Sequence, residues 1–495
     1  MAATVDLARM RFGALAAERE ADLDRYFVRS QSFRRLRDGQ KTVALGNRGV
    51  GKTAIVRMLS SHAKRNGQLV IRLAPEDYSY DLLNEVTASE ASGSWAKHGA
   101  YAAAWKYLLY VLAMKHMVRS DIGLKAGAAG RIYAYLRDHH AHIDKNPIGV
   151  LISYLKRLEG IKIGRFEASV RSRELQRLYR LEEIEVLLDD LDRLAQRKSV
   201  LILVDELDRG WDASEDACAF VSGLFQAAMA INQRGRGLRV ILSLRQELYE
   251  SIPELYDDAQ KIRDLIEVIR WDEETLADLM AKRVANALHL DETTLTPRAL
   301  WRHIFAATFD DGQTSTFAYI ADRSLWRPRE IIHFCELIRE MAVDQGIEGP
   351  IDQRVIQRAE YVYSSDRMQD VAAEYKFQYP DLRLVFETFR GQAATFPRDA
   401  LELHALRVTE GEFKVGDARA WTGGLEPEHL VGILWSVGFL RAQTAGGRDA
   451  RQRRRNSFLG PHQVIAAPNL ANISRFHVHP MFREALGMRE GLQAV

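Results

Sequence analysis

The sequence predicts an α/β protein with a doubly wound parallel sheet, and three stretches carry that expectation. Gly46-Asn47-Arg48-Gly49-Val50-Gly51-Lys52-Thr53 is a glycine-rich octet set between a short apolar run, Thr42–Leu45, and a helical pattern over Lys52–Arg65. Val200–Val204 and Leu238–Leu244 are continuous apolar runs of strand length, the look of parallel strands covered on both faces. Each ends in charge, the first in Asp205-Glu206-Leu207-Asp208-Arg209 and the second in Arg245. In an open parallel sheet, ligand groups gather at the carboxyl ends of the strands.

The octet is a phosphate loop by letter and by context. Its glycines let the backbone curl so that successive N–H groups and the helix N-terminus face phosphate oxygens. Gly46, Asn47, Arg48, Gly49, Val50, Gly51, Lys52, Thr53 and Ala54 are the candidate nucleotide-binding residues. Lys52 is expected to reach the β- and γ-phosphates, and Thr53 to offer its hydroxyl to a bridging Mg2+. A hard cation needs a second oxygen ligand beside the γ-phosphate, and Asp205 supplies it. Glu206, the next acid, is the candidate base that polarises the attacking water, with Asp208 competing for either role. Charge growing on the phosphate must be met by fixed cations, so Lys52 and Arg245 join Glu206 as catalytic candidates. Arg209, Arg327 and Arg329 are the other arginines in contention. The plainer readings are a glycine turn before a helix, an acid that caps a helix or pairs with Arg209, and arginines in ordinary ion pairs. Neither Asn-Lys-x-Asp nor Leu-Ser-Gly-Gly-Gln occurs, so ATP is the expected nucleotide.

The remaining elements follow in order. Residues 1–40 read as helix and connector with Phe12, Leu15, Leu23, Tyr26 and Phe27 forming an apolar face expected to pack beside the nucleotide. The core spans 41–275. Leu69–Leu73 is its second strand, and residues 78–198 form a helical insertion that separates two parts of one site. The row Leu175, Leu178, Leu181, Ile184, Leu188, Leu191 and Leu194 is expected to face a core rather than a coiled-coil partner. Residues 276–370 form a helical lid domain, where Arg327-Pro328-Arg329 opens a helix. Residues 381–495 then change character. Glu428–Ser436, a Gly438 stop, a strand near Phe439–Ala442, a polar loop and a return strand Arg475–Val478 have the order of a winged-helix-like domain. That polar loop holds Arg448, Arg451, Arg453, Arg454 and Arg455, relieved by Asp449, and suits a DNA or RNA backbone, an acidic protein surface or plain solvation.

Bulk properties narrow the class. A chain of 495 residues exceeds what one core serves, and at roughly 150 residues per domain it holds about three units. Charged residues at 27% and hydrophobic ones at 47% exclude wholesale disorder. A formal net charge of +2 means that any nucleic-acid contact is made by a local patch. Cys218 and Cys335 stand far apart in no metal-like spacing and are expected to be buried thiols in a reducing compartment. The first twenty residues lack a long apolar stretch, and Ala100–Met114, broken by Lys106, is shorter than the ~20 residues a bilayer requires. The expectation is therefore a cytoplasmic protein with no membrane contact. His139, His140 and His142 fit a polar helix end better than a metal site, and His477 with His479 makes only two ligands on one strand face.

Taken in order, the octet, the Val200–Arg209 strand with its acids, Arg245 and the Arg327-Pro328-Arg329 element resemble bacterial STAND, KAP and AAA+-type P-loop ATPases over roughly residues 10–340. The acid-rich stretch looks especially like the second motif of KAP-type ATPases, where another acid usually replaces Glu206. The resemblance implies a P-loop NTPase sheet with a soluble insertion, a helical lid and a C-terminal winged helix. It further implies a nucleotide-driven switch, in some relatives serving bacterial regulation or anti-phage defence, with a homo-oligomer or a protein partner as output. The rival expectation is a DNA-bound scaffold or loader that holds ATP with little turnover. Glu206 distinguishes the two.

Overall fold

The protein was analysed as a computed structural model that describes residues 5–73, 94–120, 127–140, 181–207, 214–235, 237–250, 252, 263–291, 293–448, 454–461 and 469–492. The chain divides into two compact units, one of residues 29–47 and 52–269, the other of residues 1–28, 48–51 and 270–495.

The first unit is built on a five-stranded sheet. Its strands are β1 (Val43–Gly46), β2 (Leu69–Leu73), β3 (Val200–Val204), β4 (Leu238–Arg245) and β5 (Ile266–Val268), in the order β2-β3-β4-β1-β5. All pairs are parallel. Every residue of β1 and β3 is buried, which is why both read as unbroken apolar runs. β5 escaped the sequence reading because it is three residues long and carries Glu267. That carboxylate is buried, accepting from Ser32 Oγ at 2.8 Å and Arg35 Nη1 at 3.3 Å.

The longer described helices of this unit are α1 (Lys52–Arg65), α2 (Ser94–Ser120), α3 (Gly127–His139), α4 (Leu181–Arg197) and α5 (Glu215–Arg234). On α4, Ile184, Leu187, Leu188 and Leu191 join the unit's core while Val186 stays exposed, so this part of the leucine row faces inward as expected. Leu175 and Leu178 lie outside the described residues. Arg131 on α3 grips Asp190 on α4 through two bonds of 2.6 Å. His140, expected on a polar helix end, is instead buried, its Nε2 2.7 Å from the Tyr107 hydroxyl. The α2–α5 contact is close: Trp105 Nε1 donates to the Phe220 carbonyl at 3.1 Å, and a Cβ at Gly223 would stand 2.6 Å from Tyr101 Cβ and 2.7 Å from the Ala102 nitrogen.

The second unit collects α6 (Glu273–Leu288), α7 (Pro328–Asp344) and α8 (Gln353–Glu374). Asp272 starts α6 with a capping box to Thr275. Leu7, Met10 and Phe12 enter this unit's core, Phe12 stacking on Phe305 at 6.2 Å, and Arg339 Nη1 donates to the Leu7 carbonyl. Leu15 remains 42% exposed. Cys335 is buried as expected, whereas Cys218 of the first unit is half-buried.

The same unit ends in a second sheet of β6 (Ala393–Pro397), β7 (Leu440–Arg448), β8 (Arg454–Leu459), β9 (Arg475–Val478) and β10 (Arg489–Leu492), ordered β10-β6-β9-β7-β8. The helices α9 (Arg398–Glu410) and α10 (Pro427–Ser436) lie between β6 and β7 in the chain. Arg448, Arg454 and Arg455, read from sequence as loop, belong to strands, and Arg448 pairs directly with Arg454. Residue types that look like solvated loop obscure a hairpin whose pairing runs from Ala442 with Leu459 to Arg448 with Arg454. His477 stacks on Phe458, and His479 Nδ1 accepts from the Met481 amide while its Nε2 lies 2.7 Å from Arg441 Nη2, so both imidazoles serve packing and capping. Among the described residues no group of three or more potential metal ligands occurs.

His404 is buried, with Gln392 Nε2 donating to its Nδ1 at 3.2 Å and its Nε2 bonded to Thr388 Oγ1 at 2.9 Å. Burial, aided by Arg407, pushes its pKa down to about 4. The unfolded chain takes up that proton near pH 6.5 and the folded chain does not, so stability falls as pH drops from about 6.5 toward 4, by up to ~1.4 kcal/mol per pH unit. Urea unfolding followed at several pH values is expected to show this slope added to that of His477, whose pKa burial also pushes down to about 4, and His404→Gln to reduce it by the His404 share. Gly223→Ala provides a second check. Exposed helical Gly→Ala normally stabilises by up to ~1 kcal/mol, but here the methyl meets backbone, and a loss of ~1–3 kcal/mol is expected in the same assay.

Candidate nucleotide site

The octet curls where the sequence says it must. Gly49 and Gly51 have φ of 84° and 96°, the left-handed region that glycine occupies without penalty. A Cβ at Gly49 would in addition stand 3.1 Å from Arg329 Cβ. The helix α1 begins at Lys52, so Thr53 and Ala54 occupy its first turn, where unsatisfied amides favour anions. Lys52 Nζ folds back over the loop, donating to the Gly46 carbonyl at 2.7 Å and the Asn47 carbonyl at 2.9 Å. Asn47 is buried.

The sheet order brings the other candidates to the same edge. β4 lies between β1 and β3, and its last residue, Arg245, pairs in register with Gly46. Val204 pairs with Leu242, so the next residues along the two strands are Asp205 and Ser243. Asp205 continues the ladder through its N–H to the Leu73 carbonyl at 3.0 Å, and its side chain is sealed, the residue being 5% exposed. Among the described residues Asp205 Oδ2 has no hydrogen-bond partner, a costly state for a buried carboxylate oxygen. Glu206 turns into the left-handed region at φ 60°, a strained conformation for a residue with a Cβ. Asp208 and Arg209 lie outside the described residues.

Ser243 is a residue the sequence reading passed over. It is 2% exposed, and its Oγ also has no partner among the described residues. Two positions before Arg245 on one strand, it shares that arginine's face. The available signal was a lone hydroxyl inside the apolar run Leu238–Leu244.

The loop tip, residues 48–51, groups with the second unit. The Arg48 amide donates to Glu374 Oε1 at 3.2 Å, the Arg329 amide to the Gly49 carbonyl at 3.2 Å, and Trp271 Nε1 to the Val50 carbonyl at 2.9 Å. Glu374 Oε2 also accepts from Arg327 Nη1 at 2.7 Å, with the two side chains 3% and 2% exposed. Arg327, a sequence candidate for the γ-phosphate, is thus paired with a carboxylate 47 positions away. Leu325 and Trp326, at φ 48° and 57°, make the strained turn that delivers it. Nothing in the sequence marks Glu374, because the pairing exists only once α7 and α8 are side by side.

A glycine loop joining a central strand to a helix, with an acid and an arginine on the two neighbouring strand ends, defines a P-loop NTPase fold. Comparison with known proteins adds the following. Residues 274–372 match the family model of the FunZ-associated C-terminal helical domain, a span that takes in nearly all of α6 and the whole of α7, reaching almost to the end of α8. The putative transposon gamma-delta 80.3 kDa protein of Escherichia coli (strain K12) is 23% identical over 441 residues, covering 87% of this chain and 61% of its own length. The chain thus spans about three fifths of that relative. Two solved structures of the Aeropyrum pernix ORC2 protein are similar at 12% identity. The ADPNP–ADP complexes have a TM-score of 0.36, covering 95% of this chain and 91% of that one. The ADP form has a TM-score of 0.30, with 91% and 87% covered. Scores this low lend no weight to the site, which rests on its own geometry. Among the described residues no helix is long and apolar enough to cross a membrane.

The Arg327–Glu374 pair gives a direct expectation. Glu374→Ala strips the carboxylate from a guanidinium that is 2% exposed, and loss of one partner of a buried ion pair costs about 3–5 kcal/mol. Urea unfolding is expected to show a loss in that range, with Glu374→Gln, which keeps an acceptor, losing less.

Proposed function

We propose that the chain binds ATP with Mg2+ and hydrolyses it, using nucleotide state to change domain arrangement or self-association. The observation that carries this reading is Asp205: a buried carboxylate oxygen without a partner among the described residues, on the strand two away from the phosphate loop. Such an oxygen suits a hard cation, and Thr53 in the first turn of α1 is the natural companion ligand. When bound, the cation neutralises charge on the β- and γ-phosphates.

The residues then divide the work. Amides of Gly49 to Thr53 cradle the phosphates, and Lys52 exchanges its two carbonyl partners for phosphate oxygens. Glu206 holds the attacking water and accepts its proton. Arg245, opposite Gly46, stabilises the charge that develops on the transferred phosphoryl group, with Ser243 beside it as a polar contact to the same oxygens. The winged-helix reading of residues 381–495 is supported by the order β6, α9, α10 and the β7–β8 hairpin. A nucleic-acid output through Arg448, Arg451, Arg453, Arg454 and Arg455 is supported by that run of charge and accords with the transposon named for the relative. The setting in regulation or anti-phage defence rests on the family resemblance alone.

Phosphate release and ATP binding measured side by side test the mechanism. Glu206→Gln is expected to keep ATP binding and lose turnover by about 10²–10⁴-fold, and Arg245→Ala to lose about 10²-fold. Lys52→Ala is expected to weaken ATP binding itself. Wild-type turnover in all three variants refutes hydrolysis at this site, while a wild-type protein that binds ATP and scarcely hydrolyses it identifies the scaffold or loader instead.

A further inference from the structure

The C-terminal portion of the second unit carries a groove that the nucleotide reading does not use. It lies between α9 and α10, encloses about 560 Å³, and is lined by Glu402, Leu403, Leu406, Glu426, Pro427 and Glu428, with His429 at its end. Leu403 and Leu406, one helical turn apart on α9, are 51% and 40% exposed. On α10, a Cβ at Gly432 would meet nothing within 4 Å, so that face stands open. Three carboxylates rim the groove against one guanidinium, Arg398, which is already held between Glu402 at 2.6 Å and Glu428 at 3.3 Å. Arg407 nearby is committed to Glu412 at 2.6 Å.

This chemistry excludes one occupant and selects another. In a helix–helix–hairpin arrangement the second helix is the one that would enter a DNA groove. Here that helix carries Glu428 and is preceded at its N-cap by Glu426, and phosphates would be repelled. The groove calls for a cationic segment with enough hydrocarbon to cover two leucines. Arginine supplies both, since its aliphatic stem packs on apolar surface while the guanidinium makes forked bonds to carboxylates. The chain itself holds such a segment: between Arg448, which closes β7, and Arg455 in β8 stand five arginines and one acid, a net of +4 from five positive and one negative charge.

We infer that the acidic groove between α9 and α10 receives the arginine-rich 448–455 segment of a second copy of this chain. The contact is head-to-tail, each copy offering a hairpin and a groove. The inference does not rest on the proposed ATP binding or hydrolysis. The contact does compete with nucleic acid for the same arginines, so the two uses exclude one another.

The test is sedimentation of the full-length chain after nuclease treatment, at low and at high salt. Wild type is expected to associate at low salt and to dissociate as salt rises. Glu426→Arg with Glu428→Arg, and separately Arg451→Glu with Arg453→Glu and Arg455→Glu, are each expected to weaken self-association at least tenfold. Mixed in equal amounts, the two variants restore it, because the arginines of one now meet the acids of the other. Leu403→Ser weakens association without altering its salt dependence. Glu426→Gln with Glu428→Gln, which adds no new charge, is expected to fall between wild type and the reversal, and guards against a fold defect in the latter. A wild-type chain that stays monomeric at low salt, association abolished by nuclease, charge-reversed variants that associate as wild type does, or a folded pair that fails to associate on mixing would each overturn the inference.

Discussion

The backbone turn at Gly49 and Gly51 is the constraint on which the candidate site depends. Two left-handed residues within three positions carry the chain from a buried strand to the first turn of α1. A side chain at either position would strain the loop, and at Gly49 it would also crowd Arg329. Lys52, the first residue of α1, and Arg245, the register partner of Gly46 on the adjacent strand, are placed by that turn and by strand register. The electrostatics follow from the geometry.

Polar groups in the protein interior fall into two kinds. Arg327 with Glu374, Arg131 with Asp190 and Glu267 with Ser32 are satisfied pairs, in which the cost of removing charge from water is offset by short, directed bonds. Asp205 Oδ2 and Ser243 Oγ differ, being buried at adjoining strand ends without a partner among the described residues. Other buried side-chain atoms, Ser222 Oγ and Arg57 Nη1 among them, also stand without a partner among the described residues, so what sets Asp205 and Ser243 apart is that they adjoin at the carboxyl ends of neighbouring strands. Glu206, next to Asp205, has a positive φ of 60°.

Much of the first unit was legible because its physics is local. The octet, the strands Val200–Val204 and Leu69–Leu73 and the helix Lys52–Arg65 appear where apolar runs and glycine punctuation put them. The failures share a cause. β5 was hidden by Glu267, whose burial makes sense only with Ser32 and Arg35 beside it. The β7–β8 hairpin was hidden by arginines, and His140 looked polar until Tyr107 was seen to hold it. For Glu267 and His140 a polar residue stands inside because a partner far along the chain receives it, and residue type alone cannot reveal such a partner.

The sequence by itself determined the glycine octet, the acids after β3 and the arginine that ends β4, since these depend on residue type and spacing over a few positions. Only the tertiary structure decided that Arg245 faces Gly46, that Ser243 belongs beside Asp205, that Arg327 is held by Glu374 and that α9 and α10 leave an acidic groove between them. Strand order and helix packing are set by the summed burial of side chains from distant segments, and no local pattern encodes that sum.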